Sequence, residues 1–389
     1  MYSHCPVCRS GFQAEPLYHL PEVPVQSVRL IDKAESARQF PRAPITLLAC
    51  PVCGLLFNHE FQKQTQQWDI EYEETQACSD HFNRFSEELV EQLVERFGLE
   101  QKRILEVGCG KGHFLAALCR EGRNTGLGVD PAFDPARNPS NHASVTFLQE
   151  VFKPEHLDFE PDLIVCRHTL EHIADPENLV AMMSRRPGCD LFIEVPDLGR
   201  ILVEGAFWDI YYEHCNYFGE GSMSIMLDRC GIENIESSLC FHDQYLLASG
   251  RTGNDRPETI GLQSIQEKAG RIRQSVSAWC EQLDYWHSKN EKVVLWGGGS
   301  KAVAFLSGVG QLANSIIAAV DINPRKQGYF LPGSGHPVLA PGELHGIQPD
   351  HIVIMNPAYR SEIAVQLAQM GIKTQLVDVN RPPASDRAP

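Results

Sequence analysis

Near the middle of the chain, Tyr211, Glu213 and His214 stand close together inside an aromatic run from Ala206 to Phe218. An imidazole changes charge near neutral pH and can take a proton. A carboxylate beside it can tune or hold it, and a phenol can donate a hydrogen bond to developing oxyanion charge. Tyrosine, glutamate and histidine at this spacing suit removal of a proton from a weakly acidic substrate. The alternative is a core aromatic loop with one satisfied histidine.

Cysteines supply a second kind of chemistry. Cys5-x-x-Cys8 and Cys50-x-x-Cys53 are pairs of identical spacing, each with a proline after its first cysteine, and Gly54 follows the last. Four thiolates in two such knuckles suit tetrahedral zinc, each pair spanning one edge of the tetrahedron. A closed four-sulfur site keeps no open position for water, so zinc there would hold the module together rather than do chemistry. The gap between the pairs exceeds that of a usual zinc ribbon, which leaves unligated structural cysteines as the alternative. His4, beside the first pair, reads as an exposed residue rather than a ligand.

Two glycine-rich turns follow strand-like runs. In the first, Glu106 leads into Gly108, Gly110 and Gly112, which let the backbone pass close to a ligand at the carboxyl end of a strand. A dinucleotide turn wants glycine or alanine three residues after Gly110, but His113 stands there. A glutamate ahead of Gly-x-Gly-x-Gly instead resembles the first motif of class I S-adenosylmethionine-dependent methyltransferases. Asp130 ends the next strand, where a carboxylate accepts both hydroxyls of a ribose. Glu106 would then sit near the cofactor's ammonium. Glu150 is a candidate for adenine contact, with an ordinary exposed glutamate as the alternative. The second turn, Gly297-Gly298-Gly299-Ser300-Lys301-Ala302, fits Gly-x-Gly-x-x-Ala, and Asp321 ends the strand after it. It is a candidate dinucleotide or phosphate site, or simply a tight packing turn; Lys301 could meet an anionic ligand.

These residues need elements to hold them. Phe82, Phe85, Leu89, Leu93 and Phe97 recur at helical spacing, with Ser79 or Asp80 as N-cap and Gly98 as the stop. Strand-like runs at 103–107, 126–129, 145–148, 163–166 and 191–195 alternate with helical segments, which argues for a parallel sheet. After Gly250, a polar stretch precedes a long helix from about Glu258 to Lys289, and the β/α rhythm restarts at 292–296, 316–320 and 351–355. The expected architecture is α/β in three parts: a small N-terminal zinc-binding module over 1–66, a Rossmann-like methyltransferase domain over 67–250, and a linker helix with a C-terminal Rossmann-like domain over 251–389. The segment from Arg381 to Ser385 reads as disordered.

Composition narrows the field. The chain has 389 residues, 43% hydrophobic and 22% charged, enough for two or three domains with their own cores. A net charge of −16 opposes phosphate backbones and anionic lipid, so a zinc-containing nucleic-acid binder is disfavoured and no membrane or nucleic-acid partner is expected. No apolar run is long enough for a membrane span and no signal segment opens the chain, so a cytoplasmic protein is expected. Thirteen scattered cysteines favour reduced thiols and metal ligands over disulfides.

Taken in order, the cysteine module, the first glycine turn, Tyr211-x-Glu213-His214 and the Gly-Gly-Gly-Ser-Lys turn resemble the sugar C-methyltransferases of antibiotic deoxysugar pathways over nearly the whole chain. That resemblance implies S-adenosylmethionine as cofactor, a structural zinc, and a small-molecule acceptor such as a nucleotide-linked keto-sugar. It implies His214 as the base with Tyr211 and Glu213 beside it, His172 as a further active-site histidine, and an active-site tyrosine at Tyr72. It also implies that the C-terminal domain helps to hold a nucleotide-sugar. One feature departs: where many of these enzymes carry His-Gly-Gly-Ser, this chain has Phe241-His242-Asp243-Gln244, so bulky side chains replace a glycine turn. The competing expectations are an NAD(P)-dependent oxidoreductase using the second glycine turn, and an O- or N-methyltransferase of another small metabolite.

Overall fold

The computed structural model describes residues 2–65, 71–137, 144–253 and 265–382. The helix expected from Ser79 onward spans Asp80–Phe97; the Ser79 hydroxyl accepts the Phe82 N–H, and Gly98 ends the helix in the left-handed conformation. Leu89, Val90 and Leu93 form its buried face, against Leu115 and Leu118 of the helix that follows the first glycine turn.

Beyond it lies a seven-stranded sheet. Numbered along the chain, its strands are Arg103–Val107, Thr125–Val129, Val145–Leu148, Leu163–Arg167, Asp190–Pro196, Ile232–Cys240 and Tyr245–Thr252. Their spatial order is 3-2-1-4-5-7-6, with the last two strands forming an antiparallel hairpin. The order reverses beside strand 1, and in open sheets a ligand binds at the carboxyl ends of the strands flanking such a point. Those ends carry the Gly108–Gly112 turn and the His168–His172 loop. Gly108 has φ +75°, and a Cβ there would come within 2.0 Å of the Thr169 hydroxyl, so glycine lets the two loops meet.

The C-terminal part repeats the principle. Its five-stranded parallel sheet begins with Val293–Trp296, and its order also reverses beside that strand, whose carboxyl end carries Gly297–Gly299. The linker helix is Ile265–Ser288; the expected start near Glu258 lies outside the described residues, as do Pro383 to Ser385 of the expected disordered tail. At the N-terminus, the strands Tyr18–Pro24, Arg42–Ala49 and Leu56–Asn58 form an antiparallel sheet that the sequence pattern did not announce. Its fourth strand comes from far along the chain: Asn216–Tyr217 pairs with Leu56 and Phe57.

That pairing places the aromatic run at the junction of all three parts. One continuous core joins Val23, Ile45 and Leu47 of the N-terminal sheet, Phe207, Trp208 and Tyr212 of the run, and Trp279 and Phe305 of the C-terminal part. Phe207 stacks on Phe305, and the absent side chain of Gly308 makes room for its ring. Three parts that the sequence reading separates therefore share one hydrophobic core. Among the described residues, no helix is long and apolar enough to cross a membrane.

Candidate active site

Both glycine turns open on a single cavity of about 910 Å³. Its walls include Gly108, Gly110 and Asp130 from the central sheet, His172 and His214, Tyr72 from the N-terminal side, and Gly297, Ser300 and Lys301 from the C-terminal part. Pockets for one small ligand run from roughly 300 to 1,000 Å³, and this cavity stands near the top of that range.

The first turn is built around Asp130. Its Oδ2 accepts the Gly110 N–H at 2.9 Å and its Oδ1 accepts the Ala132 N–H at 2.6 Å, which aims the carboxylate while leaving further lone pairs. Lys111 is buried beneath the strap over Tyr72–Gln76, donating to the Tyr72 carbonyl at 3.3 Å and lying 3.5 Å from Glu74. Glu106 is buried at the strand end, and burial outweighs the attraction of Arg167, pushing its carboxyl up to about 8. Its Oε2 makes no hydrogen bond. Glu150 departs from expectation. It does not line the cavity; its carboxylate pairs with Lys153 and with His156 at 3.1 Å.

Tyr211, His214 and His172 do converge. The Tyr211 hydroxyl lies 2.9 Å from His214 Nε2, and the two rings are 4.1 Å apart, centre to centre. The His172 and His214 rings meet edge to face at 4.8 Å. His172 Nδ1 donates to the Glu213 carbonyl at 3.0 Å, which leaves its Nε2 as a proton acceptor. Burial holds His214 well below its ordinary pKa, and the nearby His172, His168 and Lys301 push in the same direction. His214 is therefore neutral at pH 7. Burial likewise keeps the Tyr211 and Tyr72 phenols protonated.

Glu213 takes a different place from the one its spacing suggested. Its carboxylate accepts the Ser27 N–H at 2.6 Å and the Ser27 hydroxyl at 2.7 Å rather than touching His214. Burial raises it to about 7, with Ser27 and Tyr72 acting against that rise. It ties the aromatic run to the N-terminal module. The carboxylate that faces His214 is Glu171, 3.9 Å away. Of the loop from Arg167 to His172, the sequence resemblance singles out His172 alone. A charged run directly after a buried strand at the switch point was the available signal. Arg167 and His168 both pair with Glu194, which they hold down at about 2, while His168 is raised to about 9 by Glu194 and Glu171 despite its burial.

The second glycine turn copies the first. Asp321 accepts the Gly298 N–H at 2.9 Å and the Asn323 N–H at 2.8 Å. Here, however, Lys326 lies 3.4 Å from the carboxylate, and Lys301 pairs with Asp209. The N-terminal cysteines also converge: Sγ of Cys5 lies 3.4 Å from that of Cys53, and Sγ of Cys8 3.5 Å from that of Cys50. These are non-bonded separations close to the edge, about 3.8 Å, of a tetrahedron with 2.3 Å metal–sulfur bonds. The two knuckles match, Cys5 N–H donating to the Ser10 carbonyl and Cys50 N–H to the Leu55 carbonyl.

Comparison with known proteins finds two family matches. Residues 82–237 match the methyltransferase-domain family and residues 255–377 the C-methyltransferase C-terminal-domain family. The chain is 25% identical over 351 residues to the C-methyltransferase NovU of Streptomyces niveus, covering 82% of each protein. The chain is a class I S-adenosylmethionine-dependent methyltransferase. Over 110 residues the methyltransferase is also 33% identical to a ubiquinone biosynthesis O-methyltransferase of Escherichia coli O127:H6, but this spans 26% of the chain and 45% of that relative. Among solved structures it is similar to an O-methyltransferase family protein from Burkholderia thailandensis, at 17% identity and a TM-score of 0.36 over 49% of this chain and 64% of that one. The second glycine turn falls inside the C-methyltransferase C-terminal match, and Asp321 is already paired with a lysine, so the oxidoreductase expectation gains no support.

Replacing Asp130 with alanine removes the carboxylate that the Gly110 and Ala132 N–H groups aim at the cavity. Calorimetric titration with S-adenosylhomocysteine should show affinity falling about tenfold or more, the worth of a lost charge-assisted hydrogen bond. Unchanged affinity would remove Asp130 from the donor site.

Proposed function

We propose that this methyltransferase transfers the methyl group to a carbon adjacent to a carbonyl in a small molecule such as a nucleotide-linked keto-sugar, with His214 as the base. Carbon is a poor nucleophile until it loses a proton, so the reaction needs a neutral base and a donor for the enolate oxygen. The observation that carries this reading is the His214–Tyr211 pair, buried in the cavity that also holds the first glycine turn.

Bound S-adenosylmethionine supplies an electrophilic methyl group. Around it, the chain's own residues prepare the acceptor. With His214 Nε2–H donated to the Tyr211 oxygen, Nδ1, buried and without a hydrogen-bond partner in the protein, carries the lone pair that takes the proton. The Tyr211 hydroxyl hydrogen is then free to donate to the enolate oxygen. His172 Nε2 accepts a hydroxyl hydrogen of the acceptor, and Tyr72 contributes a second phenol to the same wall. Asp130 would accept the ribose hydroxyls and Glu106 would face the donor's ammonium. The cavity's continuation to Ser300 and Lys301 supports a role for the C-terminal part in holding the acceptor.

The four-cysteine cluster is proposed to hold one structural zinc, supported by its four convergent sulfurs and matching knuckles. Leu55 and Leu56, directly after the second knuckle, are buried, and Leu56 opens the strand that receives Asn216–Tyr217. Metal loss would thus loosen the frame of the aromatic run.

His214→Ala should leave S-adenosylhomocysteine affinity intact and lower methyl transfer by about 10²-fold or more. Near-normal transfer would reject His214 as the base. With a 13C-methyl donor, NMR of the product distinguishes a new carbon–carbon bond, which is expected, from an O- or N-methyl group. Elemental analysis of the purified protein should find one zinc per chain, and stripping it should lower the Tm by several degrees. Absence of zinc with an unchanged Tm after chelation would contradict the metal assignment.

A further inference from the structure

Glu171 stands in the cavity wall in a setting that the reading above leaves unexplained. It is 1% exposed, and neither carboxylate oxygen makes a hydrogen bond within the protein. A buried carboxylate whose oxygens make no hydrogen bond is costly, and such a group calls for a closer contact at some stage of function. Two nitrogens approach it, His168 Nδ1 at 3.8 Å and His214 Nε2 at 3.9 Å. His168 already has Glu194 at 3.0 Å. His214 has no other carboxylate within ion-pair distance among the described residues.

The dryness that keeps His214 neutral also penalises the imidazolium formed when it accepts a proton. A carboxylate oxygen beside Nε2 offsets that penalty most once the proton has moved, which is when stabilisation speeds a reaction. The loop geometry makes the arrangement rigid. Glu171 and His172 share one turn of helix over Leu170–His172, His172 is tied to the Glu213 carbonyl, and the Cys215 thiol donates to the Glu171 carbonyl at 3.5 Å.

We propose that Glu171 is a positioning residue for proton abstraction: its carboxylate faces His214 Nε2 and stabilises the imidazolium that forms there. The inference rests on His214 being the base. The other titratable groups around Glu171 are His168 and His172 on its own loop, Tyr211 from the aromatic run, Tyr72 from the N-terminal side, Cys166 on the preceding strand and Cys215 after His214. Of these, His168 keeps Glu194 when Glu171 is neutralised.

The test compares the full-length wild type with Glu171→Gln and Glu171→Asp, using S-adenosylmethionine and a nucleoside-diphosphate-linked 4-keto-hexose as probe. Glu171→Gln should lower kcat about 10- to 100-fold, with KM for both substrates and the Tm unchanged. On this proposal, neutralising Glu171 should move the acid limb of the kcat profile to lower pH. Glu171→Asp should recover part of kcat. A kcat within threefold of wild type, an acid limb moving to higher pH, or a loss shared equally by KM and Tm would overturn the proposal. Failure of His214→Ala to reduce turnover, or wild-type enzyme inert toward the probe, would overturn the functional reading and this inference with it. An unaffected Glu171→Gln beside an inactive His214→Ala would overturn this inference alone.

Discussion

The structure turns on the burial of the aromatic run between Phe207 and Phe218. Its large side chains leave water by packing against the N-terminal sheet, the C-terminal helices and the central domain together. That packing draws Asn216–Tyr217 into a sheet begun nearly 200 residues earlier, and it brings Tyr211 and His214 to the wall of a cavity that three parts of the chain enclose. The site is a consequence of the junction. Glu213 illustrates this, because it holds Ser27 across the junction while its neighbour His214 faces the cavity.

Burial then decides the electrostatics. On one side of the site, Arg167, His168 and Glu194 settle as an ionised group, because each charge has an opposite charge within about 3 Å. On the other side, the His214 ring has, among the described residues, a phenol in hydrogen-bond contact and stays neutral. Two histidines 46 positions apart in sequence therefore hold opposite charge states at neutral pH, one fixed as a cation and one free to accept a proton. Glu171 stands between them.

Much of this was legible in the sequence, for identifiable reasons. The parallel strands are continuous apolar runs, and the helix Asp80–Phe97 carries both its cap and its stop, so local pattern and tertiary demand agree. The glycines at 108, 110 and 112 and the aspartate at 130 are set by close backbone approach and one hydrogen-bonded carboxylate, both expressed at fixed spacing. What sequence could not reveal depends on contacts between distant segments. The N-terminal sheet takes its fourth strand from the aromatic run, and Glu213 finds Ser27 rather than the adjacent histidine. Glu150 stands at the end of a suitable strand, yet Lys153 and His156 claim its carboxylate. The antiparallel hairpin that closes the central sheet turns at Phe241-His242-Asp243, all three with positive φ, a conformation their residue types do not advertise.

The account depends on proton abstraction preceding methyl transfer, and the two steps can be separated. In D2O, with S-adenosylhomocysteine occupying the donor site so that no methyl group is available, mass spectrometry can follow deuterium entering a nucleoside-diphosphate-linked 4-keto-hexose at the carbon beside its carbonyl. The account predicts enzyme-dependent exchange at that carbon, lost in His214→Ala. Exchange that proceeds equally well without His214, or methyl transfer in the complete reaction with no exchange at all, would contradict it.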